Sequence, residues 1–161
     1  MAPGAPQQCC CDVGCPDTLD ITFAGVDAAA CLGCTPHPLN DDIELVSLTI
    51  DGTYTLTKYF DNGVTCGYRR LASGAPQRTI RRYAYDSGCT GEYSEETIAA
   101  VITIALVAGS ITSILVSGGA LEPFNTTFST TTPAPLGDSM PNEQTCAGQG
   151  ASDGGTAVVT T

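Results

Sequence analysis

Hydrophobic and polar residues alternate along much of the chain, in a pattern that differs from helical spacing. In residues 18–26, Leu19, Ile21 and Phe23 recur at every second position. The side chains of a β-strand point alternately to its two faces, so this pattern predicts a strand with one buried face. Similar segments recur between clusters of Gly, Pro, Asn and Asp, which are typical of turns.

A second strand is predicted over residues 43–50 and a third over residues 53–59. Asp51 and Gly52 lie between them, and this dipeptide is a strong signal for a two-residue hairpin turn. We therefore expect the second and third strands to form a hairpin. Residues 61–63, Asp-Asn-Gly, predict the next turn.

Residues 64–68 and 79–85 predict the two strands of a further long hairpin. Cys66 and Cys89 occupy comparable points along it, which predicts a cross-strand disulfide.

Residues 98–116 are apolar apart from Thr and Ser, and these 19 residues are long enough to cross a bilayer. However, β-branched residues dominate, and Ala108-Gly109-Ser110 interrupts the centre of the segment. No cluster of Lys or Arg flanks it to set a membrane orientation. We therefore predict a hairpin over residues 98–117, with a membrane helix as the less favoured alternative.

The two ends of the chain predict related β-units. Residues 19–23 precede a turn and strand at 51–57, and residues 121–128 precede a looser copy at 154–160. A predicted contact loop at residues 129–150 lies within the second unit.

The composition favours strands in a single domain. The chain has 161 residues and 42% hydrophobic content, enough for a buried core, and it is poor in helix-favouring Lys, Glu and Gln. We expect a Cys-, Pro- and Gly-rich arm over residues 1–16 and one β domain over residues 17–161. The predicted fold is an all-β antiparallel sandwich or Greek-key domain with two related β-units and long loops.

Charge is distributed unevenly. The formal net charge is −11, yet all six Lys and Arg residues fall between positions 58 and 82, where Asp61 is the only acid. Such a chain can bind a copy of itself, basic segment against acidic surface, unless the arginines pair locally. Most of the surface would repel phosphate, so nucleic acid is not an expected partner. The predicted partner contacts are Arg69, Arg70, Arg78, Arg81, Arg82, Tyr83 and Tyr85.

Nine cysteines in so short a chain indicate a disulfide framework or a metal site. Residues 1–8 carry neither the basic nor the apolar segment of a signal peptide. We therefore expect either release without a signal, for example in a particle freed by lysis, or zinc binding in the cytosol. The disulfide candidates are Cys9, Cys10, Cys11, Cys15, Cys31, Cys34, Cys66, Cys89 and Cys146. The alternative set, for a structural zinc, is Cys11, Cys15, Cys31 and Cys34.

A catalytic site is not predicted. The single histidine, His37, lies between Pro36 and Pro38, which suits a rigid surface turn. The sequence lacks a P-loop and a dinucleotide fingerprint. We expect no enzyme activity and no cofactor.

Four segments together resemble a known group of proteins: the Cys-rich start at residues 9–16, the strand at 19–25, the strand at 52–57 and the ending at 154–160. They are similar to uncharacterised small cysteine-rich β-proteins of tailed phages and planctomycete-like bacteria. The resemblance covers both ends of the chain and carries no catalytic positions. It implies a virion or cell-surface component.

The sequence therefore predicts a structural component of an extracellular assembly, most simply a phage head-decoration, tail or fibre protein located in the virion. Its expected partners are copies of itself and other virion or surface proteins. Two alternatives remain: a carbohydrate-binding or adhesin module that uses the tyrosines, and a zinc-stabilised interaction module. Membranes are not an expected partner.

Overall fold

The computed structural model describes residues 14–27, 33–36, 41–70, 76–84, 86–117, 126–142, 145–146, 150–151 and 154–161. The strands in these residues are β1 (Thr18–Ala24), β2 (Gly33–Pro36), β3 (Asp41–Thr49), β4 (Gly52–Asp61), β5 (Thr65–Arg70), β6 (Gln77–Ala84), β7 (Glu92–Ala99), β8 (Val101–Val107), β9 (Ser110–Ser117), β10 (Thr126–Ala134), β11 (Ser139–Pro141), β12 (Thr145–Cys146), β13 (Gly150–Ala151) and β14 (Thr156–Thr160).

The strands form a large sheet, a small sheet and one short ribbon. The large sheet has the order β10-β9-β8-β5-β4-β1-β14-β11, the small sheet has the order β2-β3-β6-β7, and β12 pairs with β13. Neighbouring strands are antiparallel throughout the described residues. The predicted all-β antiparallel class is confirmed, in a barrel-like or sandwich arrangement.

One face of the large sheet carries the hydrophobic core. Alternate residues of β1, β8 and β14 are buried, as the period-two pattern predicts. The sheet curls, as the contact between two distant strands shows: the ring of Phe128 on the edge strand β10 lies 5.4 Å from the ring of Phe23 on β1. The largest fully buried side chains in this core are Tyr68, Phe23, Phe128, Leu19, Ile21, Ile50, Leu56 and Ile102.

Three chain segments connect the small sheet with the centre of the large one. β3 leads into β4 through Ile50 and Asp51, β5 is followed by β6, and β7 leads into β8 through Ala100. The order β3-β6-β7 in the small sheet matches the order β4-β5-β8 in the large sheet. A backbone hydrogen bond of 2.7 Å from Ala100 N to Pro76 O joins two of these segments. The small sheet therefore continues the middle of the large one. Below, the small sheet is called the arm and the large sheet the barrel.

The predicted Asp51-Gly52 hairpin is wrong. β3 pairs with β2 and β6 in the arm, whereas β4 pairs with β1 and β5 in the large sheet. The Asp51 carboxylate instead accepts hydrogen bonds from the backbone N–H groups of Gly25 and Val26. The dipeptide thus marks the point where the chain changes sheet.

The predicted hairpin of residues 64–68 with 79–85 is also wrong, because β5 pairs with β4 and β8 while β6 pairs with β3 and β7. The apolar hairpin is confirmed: β8 and β9 pair around a turn at Ala108 and Gly109. Both turn residues have positive φ, 50° and 78°, as a tight hairpin turn requires. Among the described residues, no helix has the length and apolar character needed to cross a bilayer.

The two predicted β-units pair differently. β1 lies between β4 and β14, whereas β10 pairs with β9 at the opposite edge of the sheet. The segment 129–150 also contains strand: it includes most of β10, all of β11 and the short β12. Its role as a contact loop stays a prediction. The division of the chain into an N-terminal segment at residues 1–16 and one β domain at 17–161 also stays a prediction.

Candidate partner interface

The N-terminal segment is fixed to strands β4 and β5. A disulfide joins Cys15 to the fully buried Cys66 on β5. The Tyr68 hydroxyl donates a hydrogen bond of 2.7 Å to Pro16 O, and Lys58 Nζ donates one of 3.0 Å to Cys15 O. This attachment lies at the end of β4 and β5 that is next to their connecting turn, away from the small sheet.

The predicted Cys66–Cys89 disulfide is wrong, because Cys66 is bonded to Cys15. Cys89 is itself disulfide-bonded and lies in the loop between β6 and β7. Cys9, Cys10, Cys11 and Cys31 lie outside the described residues, and Cys34 and Cys146 are described only as parts of β2 and β12.

A potential metal-ligand cluster coincides with the Cys15–Cys66 disulfide. The ligand atoms of Cys15, Cys66 and Asp61 lie within 4.8 Å of one another. However, the two sulfurs are bonded to each other, and Lys58 Nζ donates to Asp61 Oδ2 at 3.2 Å. This cluster is therefore a covalent and ionic attachment point. Zinc held by Cys11, Cys15, Cys31 and Cys34 would need Cys15 to be released from this bond.

Hydrogen bonding keeps both members of the Lys58–Asp61 pair charged. The backbone N–H of Gly63, followed by the Lys58 ammonium, lowers the pKa of Asp61. The hydrogen bond to Asp61 in turn raises the pKa of Lys58. The turn between β4 and β5 is thus held by charge-assisted contacts next to the disulfide.

Beside this turn lies an exposed cluster, here called the hairpin patch: Tyr59, Phe60, Val64 and Arg69. Its three apolar members are 52%, 46% and 60% exposed, respectively. The register between β4 and β5 shifts between Lys58 and Phe60, and this bulge leaves two successive aromatic residues at the surface. Exposed apolar groups that cluster in this way are typical of binding surfaces.

Neighbouring residues hold the hairpin patch in shape. The ring of Tyr59 lies over Gly67, where a Cβ atom would come within 2.9 Å of it. The Arg69 guanidinium lies 4.8 Å from the centre of the same ring. Arg69 makes no ion pair with any residue that the structure describes. Tyr and Arg are enriched at protein interfaces, where such anchored side chains contribute most of the binding energy.

The predicted contact residue Arg81 is neutralised within the arm. Its Nε donates to Glu95 at 2.8 Å, and its guanidinium also lies 3.4 Å from Glu92 and 3.9 Å from Glu44. The hydrogen bond to Glu95 is the main cause that raises the pKa of Arg81. Arg81 is therefore an arginine that pairs locally, which was the alternative to binding a copy of the chain. The surrounding face keeps a surplus of negative charge.

Tyr83 is 6% exposed, and its hydroxyl donates to Glu44 Oε2 at 2.6 Å. This hydrogen bond and burial raise the pKa of Tyr83. Its buried ring leaves little surface for a partner.

The other predicted contacts are divided. Arg70 Nη1 donates to Thr55 O at 3.1 Å, and its guanidinium lies 5.8 Å from the Tyr54 ring centre. Its Nε is buried and has no hydrogen-bond partner among the residues that the structure describes. Arg82 is half-buried on β6. Tyr85, the side chain of Arg78 and His37 lie outside the described residues. The structure thus separates Arg69 and Arg70 on the barrel from Arg81 and Arg82 on the arm.

Phe60 and Val64 of the hairpin patch were not predicted from the sequence, and Tyr59 was predicted only as one of the tyrosines available for binding. Strict alternation through Tyr59 and Phe60 would bury one of the two rings, and only the bulge exposes both. The adjacent aromatics before Asp61-Asn62-Gly63 were the available signal, since bulges are frequent at the rim of a barrel.

Comparison with protein-family models, with curated proteins and with solved structures found no match. The resemblance to cysteine-rich β-proteins of phages therefore stays an expectation from the sequence.

Proposed function

We propose that this protein is a structural component of an extracellular assembly, most simply a phage virion, and that it binds its neighbours through the hairpin patch. The observation that carries this proposal is the exposed apolar and aromatic cluster beside Arg69. Surface of this composition favours protein contact.

The attachment of the N-terminal segment supports the same proposal. The Cys15–Cys66 disulfide and the Tyr68–Pro16 hydrogen bond fix the chain next to the hairpin patch before any partner arrives. A surface that is already ordered loses less entropy on binding. Disulfides also persist outside the cell, where a virion protein must survive.

A glycan-binding module is the second candidate, and one observation favours it. The ring of Tyr59 is half-exposed and held flat over Gly67, which resembles a platform on which a sugar ring could stack. The contact of Arg69 with this ring reduces the apolar surface that it offers. Protein contact is therefore the better-supported function.

The test is incorporation of the protein into released particles. The wild type and a Phe60→Ser/Val64→Ser variant would be expressed in the native host, and particles sedimented from the lysate would be assayed for each chain. We expect the wild type in the particle fraction and at least about a tenfold loss for the variant, as for hot-spot residues. Thr53→Ser, an exposed change elsewhere on β4, is the matched control.

Three results would contradict the proposal. One is a chain that never sediments with particles. Another is binding of the wild type to purified glycans as a monomer, which would favour the adhesin alternative. A third is ready alkylation of all nine cysteines together with bound zinc, which would favour the zinc-stabilised module.

A further inference from the structure

We infer that the hairpin patch docks on strand β7 of a second copy of this chain. The inference rests on the proposed function and specifies its partner: the far end of one barrel meets the arm of the next molecule.

Charge complementarity is the first argument. The chain has 17 acids against six Lys and Arg residues. Of the cations, Lys58 pairs with Asp61 and Arg81 is shared by three carboxylates. Arg69 is exposed and makes no ion pair within the described part of the chain. A second copy supplies the carboxylates that Arg69 lacks.

Strand β7 is the acidic surface that fits best. It carries Glu92, Glu95 and Glu96 within eight residues, and all three side chains are exposed. Glu92 and Glu95 lie on the face of Arg81, whereas Glu96, paired with Ile80, lies on the other face of the strand. Arg81 contacts Glu92, Glu95 and also Glu44, so one cation is shared by three carboxylates. Glu96 makes no ion pair with any described residue and is the carboxylate best placed to accept a cation from outside.

The position of β7 in the arm is the second argument. It is the edge strand next to β6, so one side of its backbone has no strand partner among the described residues. Pairing of two β7 strands would bring glutamates from both copies together, and like charges across a strand pair are destabilising. An arginine accompanied by apolar side chains avoids this repulsion. The acidic edge thus disfavours a β7–β7 dimer and favours a different surface.

The two surfaces lie at opposite ends of the strands that connect barrel and arm. β4 leaves the arm at Gly52 and reaches the hairpin patch at Tyr59 and Phe60. β7 lies in the arm, on the other side of the joint where arm and barrel meet. A contact between them joins two different surfaces and repeats head to tail. Such contacts close into rings or grow into filaments, according to the rotation between neighbours.

The experiment is a charge exchange followed by sedimentation of the purified, oxidised protein over a range of concentrations. Arg69→Glu should weaken self-association at least about tenfold, because like charges then face each other. Adding Glu96→Arg to Arg69→Glu should restore association to within about threefold of the wild type, since the pair is present again in reverse order.

The matched control combines Arg69→Glu with Asp138→Lys. Asp138 is an exposed acid in the connection between β10 and β11, outside the arm, and its replacement changes the net charge as Glu96→Arg does. This variant should stay as weak as Arg69→Glu alone. Circular dichroism and intact mass would verify that each variant is folded and oxidised.

Each other outcome overturns the inference. Association that is unaffected by Arg69→Glu excludes the hairpin patch, and equal rescue by Asp138→Lys excludes β7 as the cognate surface. A wild type that stays monomeric at every concentration excludes the contact between copies. The particle experiment would still decide the proposed function, because incorporation through another protein does not require self-association.

Discussion

The carboxylates of Asp27 and Asp51 accept hydrogen bonds from backbone N–H groups of each other's segment, at the joint between barrel and arm. The Asp51 carboxylate accepts from Val26 N at 2.8 Å and Gly25 N at 3.1 Å. Asp27 Oδ1 accepts from Ile50 N at 2.6 Å and Asp51 N at 3.0 Å. These N–H groups lie between strands, where no neighbouring strand can satisfy them. The two carboxylates therefore fix the end of β1 to the crossing from β3 to β4.

Removal of the Asp51 carboxylate should destabilise the fold. Asp51→Ala leaves two backbone donors without their charged acceptor, and we expect a loss of about 2–3 kcal/mol in the free energy of unfolding. Asp51→Asn keeps one acceptor oxygen and should lose about half as much. Urea unfolding measures both. Asp138→Ala, at an exposed acid, is the control and should change stability by less than about 0.5 kcal/mol. Equal stability of Asp51→Ala and this control would refute the stabilising role of the Asp51 carboxylate.

Gly155 should tolerate a methyl group far less well than Gly63. Both glycines have a φ of +86°, so an alanine at either position meets the same backbone strain, roughly 1–2 kcal/mol. At Gly155 the added Cβ would also lie 2.6 Å from the backbone N of Val26, whereas at Gly63 it meets nothing within 4 Å. We expect Gly155→Ala to be less stable than Gly63→Ala by at least about 2 kcal/mol. Thermal unfolding of the two variants would show it, and similar melting temperatures would contradict the close packing.

Loss of the Cys15–Cys66 disulfide should be costly, because the bond closes a loop between cysteines 51 positions apart. Loop-closure entropy for that length predicts a loss of about 4 kcal/mol in a Cys15→Ala variant, measured under oxidising conditions. A loss below about 1 kcal/mol would show that this bond does not form in solution. Addition of a reductant should destabilise the wild type further, because Cys89 is also disulfide-bonded.

Three tyrosines should make the protein sensitive to alkali. Burial raises the pKa of Tyr54 and Tyr68, and the hydrogen bond to Glu44 raises that of Tyr83. A raised pKa means that the folded state holds its proton longer than the unfolded state, whose tyrosines ionise near pH ~10. The stabilisation is thus complete below that pH and is lost as the pH rises through the folded pKa.

Tyr68→Phe tests this directly. It removes the hydroxyl that donates to Pro16 O, so we expect a loss of about 1 kcal/mol at neutral pH. It also removes one late-ionising group, so the decline in stability above pH ~10 should become shallower. Urea unfolding at a series of pH values measures both effects. An unchanged decline would mean that Tyr68 ionises equally in the folded and unfolded states.

Several strands were predictable from the sequence, whereas strand pairing was predictable only for the β8–β9 hairpin. Alternation located β1, because the large sheet buries one face of this strand, and the β-branched apolar run with Gly109 at its centre located β8 and β9. Asp51-Gly52 misled because the aspartate side chain binds the backbone of Gly25 and Val26, a contact 25 or more residues away in sequence. A local turn signal cannot report such a partner. The same limit made Cys89 a false partner for Cys66.

The candidate site was predictable only in part. Arg69 was identified from the clustering of basic residues, but that cluster is divided between two sheets. Arg81 looked available in the sequence, and cross-strand pairing placed Glu44 and Glu95 on either side of it. Exposure of Tyr59 and Phe60 depends on a one-residue bulge, which depends on the register between β4 and β5.

The passage of three chain segments from the arm into the barrel has a mechanical consequence. A pulling force on the arm enters the large sheet through covalent backbone at β4, β5 and β8, near the middle of the sheet and away from its edges. These three strands are attached to the arm at the same end, so the load passes to the rest of the sheet through the hydrogen bonds that join β4 to β1 and β8 to β9. Tension applied at one end of the molecule would thus be carried through the centre of the fold to the disulfide at the other.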